Sequence, residues 1–356
     1  MDPSLASLRQ IPFGQSARKL YPLEPGYTNL NNGSFGTVPL YVEAARREWL
    51  DRSEKNPDKW LRHDYFQQYE RVRDEVADYV GAEKENLVFV QNATNGVNSV
   101  VRSLNFKPEE KVVYFSTTYN AVKQLLFYLR DSQRLSLVEV QVDFPFKDED
   151  LLKQVGELLD REPNIKLAIV DAISSVPALL FPFVELNKLF KSRGITVLVD
   201  GAHAYGQIPL KLEECGADFF VTNIHKWGQS SRPCALLYAT KKQQMNIHPS
   251  SISHGYETRS FYEDFQWTGT TDLSQIMSVS AALAYRKAIG EERILRYIHE
   301  LAVKGGQKVA TILGTEVIGD EHQIPAMVNV RLPLSAQHGD KHIRQLAVTL
   351  LQKFNV

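Results

Sequence analysis

Short apolar runs alternate with helix-forming stretches from about residue 65 onward, and this alternation most constrains the fold. The runs predicted as strands are 87–90, 112–116, 135–142, 167–170, 195–199, 218–222 and 234–239. The stretches predicted as helices are 65–80, 94–104, 119–130, 148–159 and 183–191. Apolar runs of this length separated by helices are typical of βαβ units, whose parallel strands are covered on both faces. We therefore predict an α/β protein with a mostly parallel central sheet covered by helices.

The alternation of predicted strands and helices ends at about residue 250. A polar and aromatic stretch without a clear period leads into two predicted helices at 272–289 and 291–313, a strand at 326–332 and a helix at 340–353. This pattern favours three parts. We predict an N-terminal segment, 1–60, that joins the small domain, a large α/β domain, 61–250, and a smaller α+β domain, 251–356.

Composition narrows the class of protein. Hydrophobic residues make up 43% of the chain, and 41 lysines and arginines nearly balance 42 aspartates and glutamates. Without a concentrated basic face, nucleic acid and anionic membranes are poor partners. Two cysteines cannot form a disulfide framework, and no uncharged apolar run reaches the roughly 18 residues of a membrane span. No signal-peptide core is found at the N-terminus. We expect a cytoplasmic protein that acts on a small molecule.

Polar residues follow three of the predicted strands directly. Asp200–His203 come after 195–199, Asn223–Gly228 come after 218–222, and Gln91–Gly96 come after 87–90, at the start of the next helix. Ligands of such sheets bind beyond the carboxyl ends of the strands, so the three groups are expected to face one crevice.

These residue types suit one cofactor. A carboxylate such as Asp200 pairs with a protonated ring nitrogen, and a desolvated lysine such as Lys226 becomes a nucleophile for an aldehyde. A helix N-terminus with small and hydroxylated residues binds a phosphate. Pyridoxal 5'-phosphate (PLP) needs all three. Each alone has a plainer interpretation: a surface lysine, a helix N-cap at Asp200, and structural histidines at His203 and His225.

Seven sequence words, in one order along most of the chain, resemble fold-type I PLP enzymes of the class V aminotransferase family. They are LNNGSFG (30–36), QNATNGVN (91–98), TTYNAV (117–122), DAISSVPALLFP (171–182), VDGAHAYGQIPL (199–210), TNIHKWG (222–228) and WTGTTD (267–272). The subgroup that they resemble contains isopenicillin N epimerase-like proteins and C–S lyases for cysteine derivatives.

The resemblance implies catalytic roles for four residues. Lys226 would form the Schiff base with PLP and move the substrate Cα proton, and Asp200 would hold the pyridine nitrogen protonated. His203 would donate to the ring hydroxyl, assisted by Ser175. Tyr119 would stack on the ring.

The resemblance also implies a phosphate site, a substrate site and a homodimer. The residues expected around the phosphate are Ala93, Thr94, Asn223 and His225. Thr270 would reach the phosphate of the neighbouring subunit's cofactor, so the active sites of a homodimer would be shared. Asn32 and Gly33 would lie near the substrate carboxylate.

Other site types lack their motifs. No G-x-G-x-x-G follows a strand, and H-E-x-x-H, C-x-x-C and G-x-S-x-G are absent, so neither a dinucleotide fold nor a metal site is predicted. Persulfide-forming desulfurases need a mobile cysteine in the small domain. Residues 250–356 contain none, and we expect Cys215 and Cys234 to be buried packing residues.

We predict a PLP-dependent C–S lyase that performs β-elimination on a cysteine derivative. An epimerase or an aminotransferase remains open, because all three would use Lys226 to move the Cα proton. Relatives of this kind continue into a strand with an arginine that binds the substrate carboxylate, whereas this sequence stops at Val356. A truncated, weakly active PLP-binding regulator is therefore the alternative from another class.

Overall fold

A seven-stranded sheet forms the centre of the protein in a computed structural model that describes residues 5–133, 135–334 and 340–356. Its strands are β1 (Leu87–Val90), β2 (Lys111–Phe115), β3 (Ser136–Val140), β4 (Ile165–Asp171), β5 (Thr196–Asp200), β6 (Phe219–Asn223) and β7 (Ala235–Ala239). They are arranged in the order β1-β7-β6-β5-β4-β2-β3. Strand β7 is antiparallel to both of its neighbours, and the other pairs are parallel. The predicted fold class is confirmed.

Helices cover both faces of this sheet, which explains why its strands are apolar throughout. In β2, Val113 and Phe115 belong to the core on one face, and Val112 and Tyr114 belong to the core on the other. The helices that contribute to the first core are Tyr65–Val80, Asp148–Arg161, Phe183–Ser192 and Ser274–Ile289. Those that contribute to the second are Ala93–Ser103, Asn120–Gln133 and Phe261–Gln266.

Element ends in this region agree with the predicted ones or differ from them by at most three residues. The helix Tyr65–Val80 ends at Gly81, whose φ of 62° is a left-handed conformation that favours glycine. The polar stretch after residue 250, which shows no clear period, contains the short helix Phe261–Gln266. The Ser260 side chain caps it by accepting a hydrogen bond from the Glu263 N–H.

The C-terminal part consists of three long helices and a small sheet. The helices are Ser274–Ile289, Glu291–Leu313 and Asp340–Phe354, and β8 (Val317–Ile318) pairs antiparallel with β9 (Asn329–Val330). The strand predicted over 326–332 is therefore only two residues long.

The N-terminal part packs against the C-terminal helices. Its helices are Leu5–Leu8, Gln15–Arg18, Asn32–Phe35, Leu40–Lys55 and Pro57–Lys59, followed by a π-helical turn at Trp60–Asp64. Leu8, Leu20 and Val42 share a core with Tyr285 and Ile289. The division into 1–60, 61–250 and 251–356 stays a prediction. Within the described ranges, no helix has both the length and the apolar character needed to cross a bilayer.

Candidate active site

A cavity of about 330 Å³ opens at the carboxyl ends of β4, β5 and β6, beside the first turn of the helix Ala93–Ser103. Nine of the twelve residues predicted for the site line it. They are Ala93, Thr94, Tyr119, Ser175, Asp200, His203, Asn223, His225 and Lys226. The rule that ligands bind beyond the strand ends thus leads to one continuous site.

Lys226 and His203 are in direct contact in this cavity. Lys226 lies in the helical turn Ile224–Trp227 directly after β6, and its Nζ is 3.2 Å from His203 Nε2. Burial lowers the pKa of Lys226, although the charge of Asp200 acts in the opposite direction. Burial, together with the nearby lysine, lowers the pKa of His203 to about 3. His203 is therefore neutral near pH 7, and the lysine has a larger fraction of free amine than a solvated one.

Two buried aspartates lie side by side at the ends of β4 and β5, because Asp171 and Asp200 are partners in the parallel register. One oxygen of Asp200 accepts a hydrogen bond from the Ala202 N–H at 3.0 Å, and Asp171 accepts one from the Thr117 hydroxyl at 2.8 Å. Burial raises the pKa of both carboxyls. That of Asp171 reaches about 7, because the charge of Asp200 adds to the effect of burial.

The first turn of the helix Ala93–Ser103 provides backbone donors to the cavity. The Ala93 N–H donates to the Asn223 side chain at 2.9 Å, and the Asn95 N–H donates to the capping side chain of Asn92 at 2.8 Å. For the Thr94 N–H, no acceptor is found among the described residues, as is usual for a helix N-terminus that binds an anion.

His225 adds a side chain to the same end of the cavity. Its Nδ1 lies 2.7 Å from the carbonyl oxygen of Cys234 and 3.1 Å from the N–H of the same residue. The backbone of Cys234 therefore fixes the ring, and Nε2 is the atom left for a ligand. Burial lowers the pKa of this histidine.

The other three predicted residues lie outside the cavity lining. The Asn32 amide donates to the carbonyl of Lys226 at 3.4 Å, and a Cβ at Gly33 would lie 3.6 Å from the His203 ring, so both are neighbours of the site. Thr270 instead lines a separate surface cavity together with Trp267. Its predicted contact with a neighbouring subunit's cofactor stays a prediction.

Sequence reasoning missed several lining residues. They are Ser34, Phe35, Asn92, Asp171, Ile173 and Ala202. Asp171 could have been found, because it ends a predicted strand in the same way as Asp200 and opens the word DAISSVPALLFP. Ser34 and Phe35 lie in the word LNNGSFG, from which only Asn32 and Gly33 were predicted, and no predicted strand end marks their short helix Asn32–Phe35.

Both cysteines are unpaired and buried, as predicted. Burial raises the pKa of both thiols, to about 12 for Cys234. Neither lines the cavity described above. A high thiol pKa leaves little thiolate near neutral pH, so these side chains are poor nucleophiles.

The residues of the cavity fit PLP. An amine of lowered pKa, a buried carboxyl and the N-terminus of an eleven-residue helix lie around one space, and they correspond to the aldehyde, the ring nitrogen and the phosphate of that cofactor. Tyr119, about half exposed at the mouth, offers a ring face for stacking. The fold and the site together define a PLP-dependent enzyme of fold-type I.

Comparison with known proteins defines the family. The model of the class V aminotransferase family matches residues 38–347. Hercynylcysteine sulfoxide lyase of Schizosaccharomyces pombe is 34% identical over 336 residues, which cover 90% of this chain and 84% of that protein. The L-cysteine desulfhydrase-like protein lolT1 of Epichloe uncinata is 31% identical over 93% of this chain and 81% of its own length. The chain therefore belongs to the class V aminotransferase family.

A solved structure supports the fold assignment. A variant of C-DES with glycine covalently linked to its PLP cofactor superposes with a TM-score of 0.79, although it is only 17% identical. The match covers 95% of this chain and 90% of that one. At this identity the similarity shows the fold alone.

Proposed function

We propose that the protein is a C–S lyase that performs β-elimination on a cysteine derivative. The observation that carries the PLP chemistry is the contact of the Lys226 amine with the neutral His203 imidazole, beside Asp200 in one buried cavity. Cleavage of a C–S bond is supported by the names of the relatives. One is a sulfoxide lyase for a cysteine derivative, and another is described as L-cysteine desulfhydrase-like.

Each polar residue of the cavity has a distinct task in this proposal. Bound PLP withdraws electrons from the substrate and so acidifies the hydrogen on Cα. Asp200 keeps a proton on the ring nitrogen, because its buried carboxylate is stabilised by a cationic N–H. Lys226 Nζ takes the Cα proton, and His203 holds that amine within 3.2 Å. Departure of the sulfur substituent from Cβ completes the elimination.

The remaining residues would bind and orient. Thr94 and His225 would donate to the phosphate, and Asn223 supports that cradle through its bond with the Ala93 N–H. Asn32 and Gly33 lie next to the turn Ile224–Trp227 that carries Lys226 (the lysine turn), where a substrate carboxylate would sit. None of the described residues that line the cavity is an arginine. In this proposal the carboxylate is bound by amide groups, or by groups outside the described residues.

The test for the cofactor is spectroscopic. Purified protein is mixed with PLP, its visible absorbance is recorded, and borohydride is added. We expect a visible band in the wild type and, after reduction, a mass increase on the peptide that contains Lys226. Lys226→Ala should lack both. Lys111→Ala is the matched control, because Lys111 pairs with Glu162 outside the cavity. A wild-type protein without the band would contradict the proposal.

Product analysis separates the three possible reactions. A C–S lyase releases the sulfur fragment, pyruvate and ammonia from a cysteine thioether or sulfoxide. An aminotransferase keeps the C–S bond and yields a keto acid, and an epimerase returns the same compound with inverted Cα. Detection of either product in place of sulfur release would identify the reaction as transamination or epimerisation.

We further propose that the protein is a homodimer in the cytoplasm. The segment that carries Thr270 also exposes the apolar side chains of Ile252 and Tyr256, which supports an interface there. Two unpaired cysteines fit a reducing compartment. Sedimentation at micromolar concentration tests the assembly, and a monomer would contradict shared active sites.

A further inference from the structure

A buried arginine connects the turn that contains Lys226 with the turn that contains His203. Arg286 lies in the last turn of the helix Ser274–Ile289 and is 1% exposed. One arm of its guanidinium donates to the Trp227 carbonyl at 2.6 Å, and the other donates to the Gly206 carbonyl at 3.0 Å. Trp227 directly follows Lys226 in the chain.

The two carbonyls belong to backbone segments that are already in close contact. A Cβ at Gly206 would lie 2.7 Å from the carbonyl carbon and oxygen of Trp227, and Gly206 has a φ of 77°. The turn that contains His203 is therefore packed directly on the turn that contains Lys226. A change in the position of one turn is transmitted to the other.

The guanidinium is also paired with the Glu291 carboxylate, which offsets the unfavourable desolvation of the buried charge. Its Nε donates to Glu291 at 2.9 Å and Nη2 forms a second bond to the same carboxylate, which also accepts from the Tyr79 hydroxyl at 2.8 Å. Burial of a guanidinium is strongly unfavourable unless its donors are satisfied. The planar fork satisfies both carbonyls and the carboxylate only in one arrangement, because its donors have fixed directions.

We propose that Arg286 is a positioning residue that fixes the carbonyls of Trp227 and Gly206 and thereby sets the Lys226 amine against the His203 imidazole. Arg286 does not line the cavity, and its described hydrogen bonds go to Glu291, Trp227 and Gly206. Its effect passes through the backbone. The inference rests on the proposed role of Lys226, but it does not depend on which bond of the substrate is broken.

Loss of this arginine loosens the lysine turn and admits water beside Nζ. Desolvation disfavours the protonated form of a buried nitrogen, so hydration raises the pH at which that nitrogen loses its proton. In the holoenzyme we expect the midpoint of the pH titration of the visible PLP band to rise by about one unit in Arg286→Met, with PLP retained about tenfold less tightly. Arg286→Lys keeps the pair with Glu291 but cannot bind both carbonyls, so a smaller shift in the same direction is expected.

The matched control is Arg293→Met. Arg293 also donates to two backbone carbonyls, those of Arg9 and Ile11, both at 2.9 Å, but these lie in the N-terminal segment. This variant should lose thermal stability without a change in the midpoint or in PLP retention. A purely structural role of Arg286 predicts the same result for Arg286→Met, and that result would overturn the proposal.

Two further measurements keep the test decisive. If Arg286→Met does not fold, Arg286→Lys decides, and a wild-type midpoint in that variant overturns the proposal. If the wild type shows no PLP band, the proposed function fails separately. The pH dependence of acetic anhydride labelling at Lys226, read by mass spectrometry, then compares the same variants. An unchanged labelling midpoint in both Arg286 variants would overturn the positioning role.

Discussion

Replacement of Asp171 by asparagine should stabilise the cofactor-free protein at neutral and alkaline pH. Asp171 is 3% exposed and lies beside Asp200, and its one described hydrogen bond comes from the Thr117 hydroxyl. An asparagine keeps the size of the side chain, and its carbonyl oxygen can still accept that hydrogen bond. The substitution removes the ionisable group and introduces amide N–H donors, for which the carboxyl of the neighbouring Asp200 is an acceptor.

The pKa of Asp171 determines the size of the effect. Burial and the charge of Asp200 raise this pKa from 3.8 to about 7. Between these two values the folded protein keeps a proton that the unfolded chain has released, so the free energy of unfolding falls as the pH rises. About three pKa units at about 1.4 kcal/mol each give a destabilisation of at most about 4 kcal/mol. This destabilisation is complete above about pH 7 and absent below about pH 4.

Urea denaturation between pH 4 and 8.5, at one protein concentration, measures this difference. Wild type should lose up to about 4 kcal/mol relative to Asp171→Asn across the range, with the two converging at the acid end. Asp218→Asn is the contrasting control. Asp218 is equally buried but accepts hydrogen bonds from Lys191 at 2.6 Å and from the Val197 N–H at 2.9 Å, so its loss should destabilise the protein at pH 8. Parallel curves for wild type and Asp171→Asn would refute the reasoning.

Two further substitutions test how neighbouring segments complete the site. Gly36→Ala should destabilise the protein by about 2 kcal/mol or more and lower its PLP content, because φ is 72° and the new Cβ would lie 2.0 Å from the His225 carbonyl oxygen. Gly26→Ala is the control, because Gly26 has a φ of 79° but open space around it. This variant should lose stability only through backbone strain and keep its PLP content. Equal losses of PLP in both variants would contradict a specific role of the Gly36 contact with His225. If the protein is the proposed dimer with shared active sites, Thr270→Val should weaken PLP binding about tenfold without dissociating it, because one charge-assisted hydrogen bond is lost. Thr271→Val is the control, and an unchanged dissociation constant for Thr270→Val would show that no phosphate contact exists.

Local sequence patterns predicted most of the sheet because its strands are buried on both faces. The run that became β1 is apolar at every position, and the run that became β5 is apolar except at Thr196. Polar residues follow each run directly, so the signals for the strand and for the site lie side by side in the sequence. The lysine turn after β6 was predicted for the same reason. No local sequence pattern predicts that β7 is antiparallel, because strand direction is determined by the pairing with β1 and β6 in the folded sheet.

The parts of the site that sequence reasoning missed depend on distant pairings. Phe35 reaches the cavity because Gly36 packs on the backbone of His225, nearly two hundred residues further along the chain. Arg286 carries no motif and lies on a helix with an ordinary apolar pattern. Its role follows only from the carbonyls that it binds, and these are determined by the packing of two loops. Contacts of this kind cannot be read from spacing.

The electrostatic state of the cavity explains why cofactor binding and folding should be coupled. Asp200 and Asp171 are buried side by side. The described structure offers them one hydrogen bond each, the charge of Lys226 near Asp200 and the charge of Lys123 near Asp171. Both pKa values are raised because this compensation is incomplete. In the proposed holoenzyme, a protonated pyridine nitrogen held by Asp200 would supply the missing positive charge, lower the pKa of that carboxyl and stabilise the folded state by mass action. The incomplete compensation of these two buried carboxyls therefore favours a cofactor with a basic ring nitrogen.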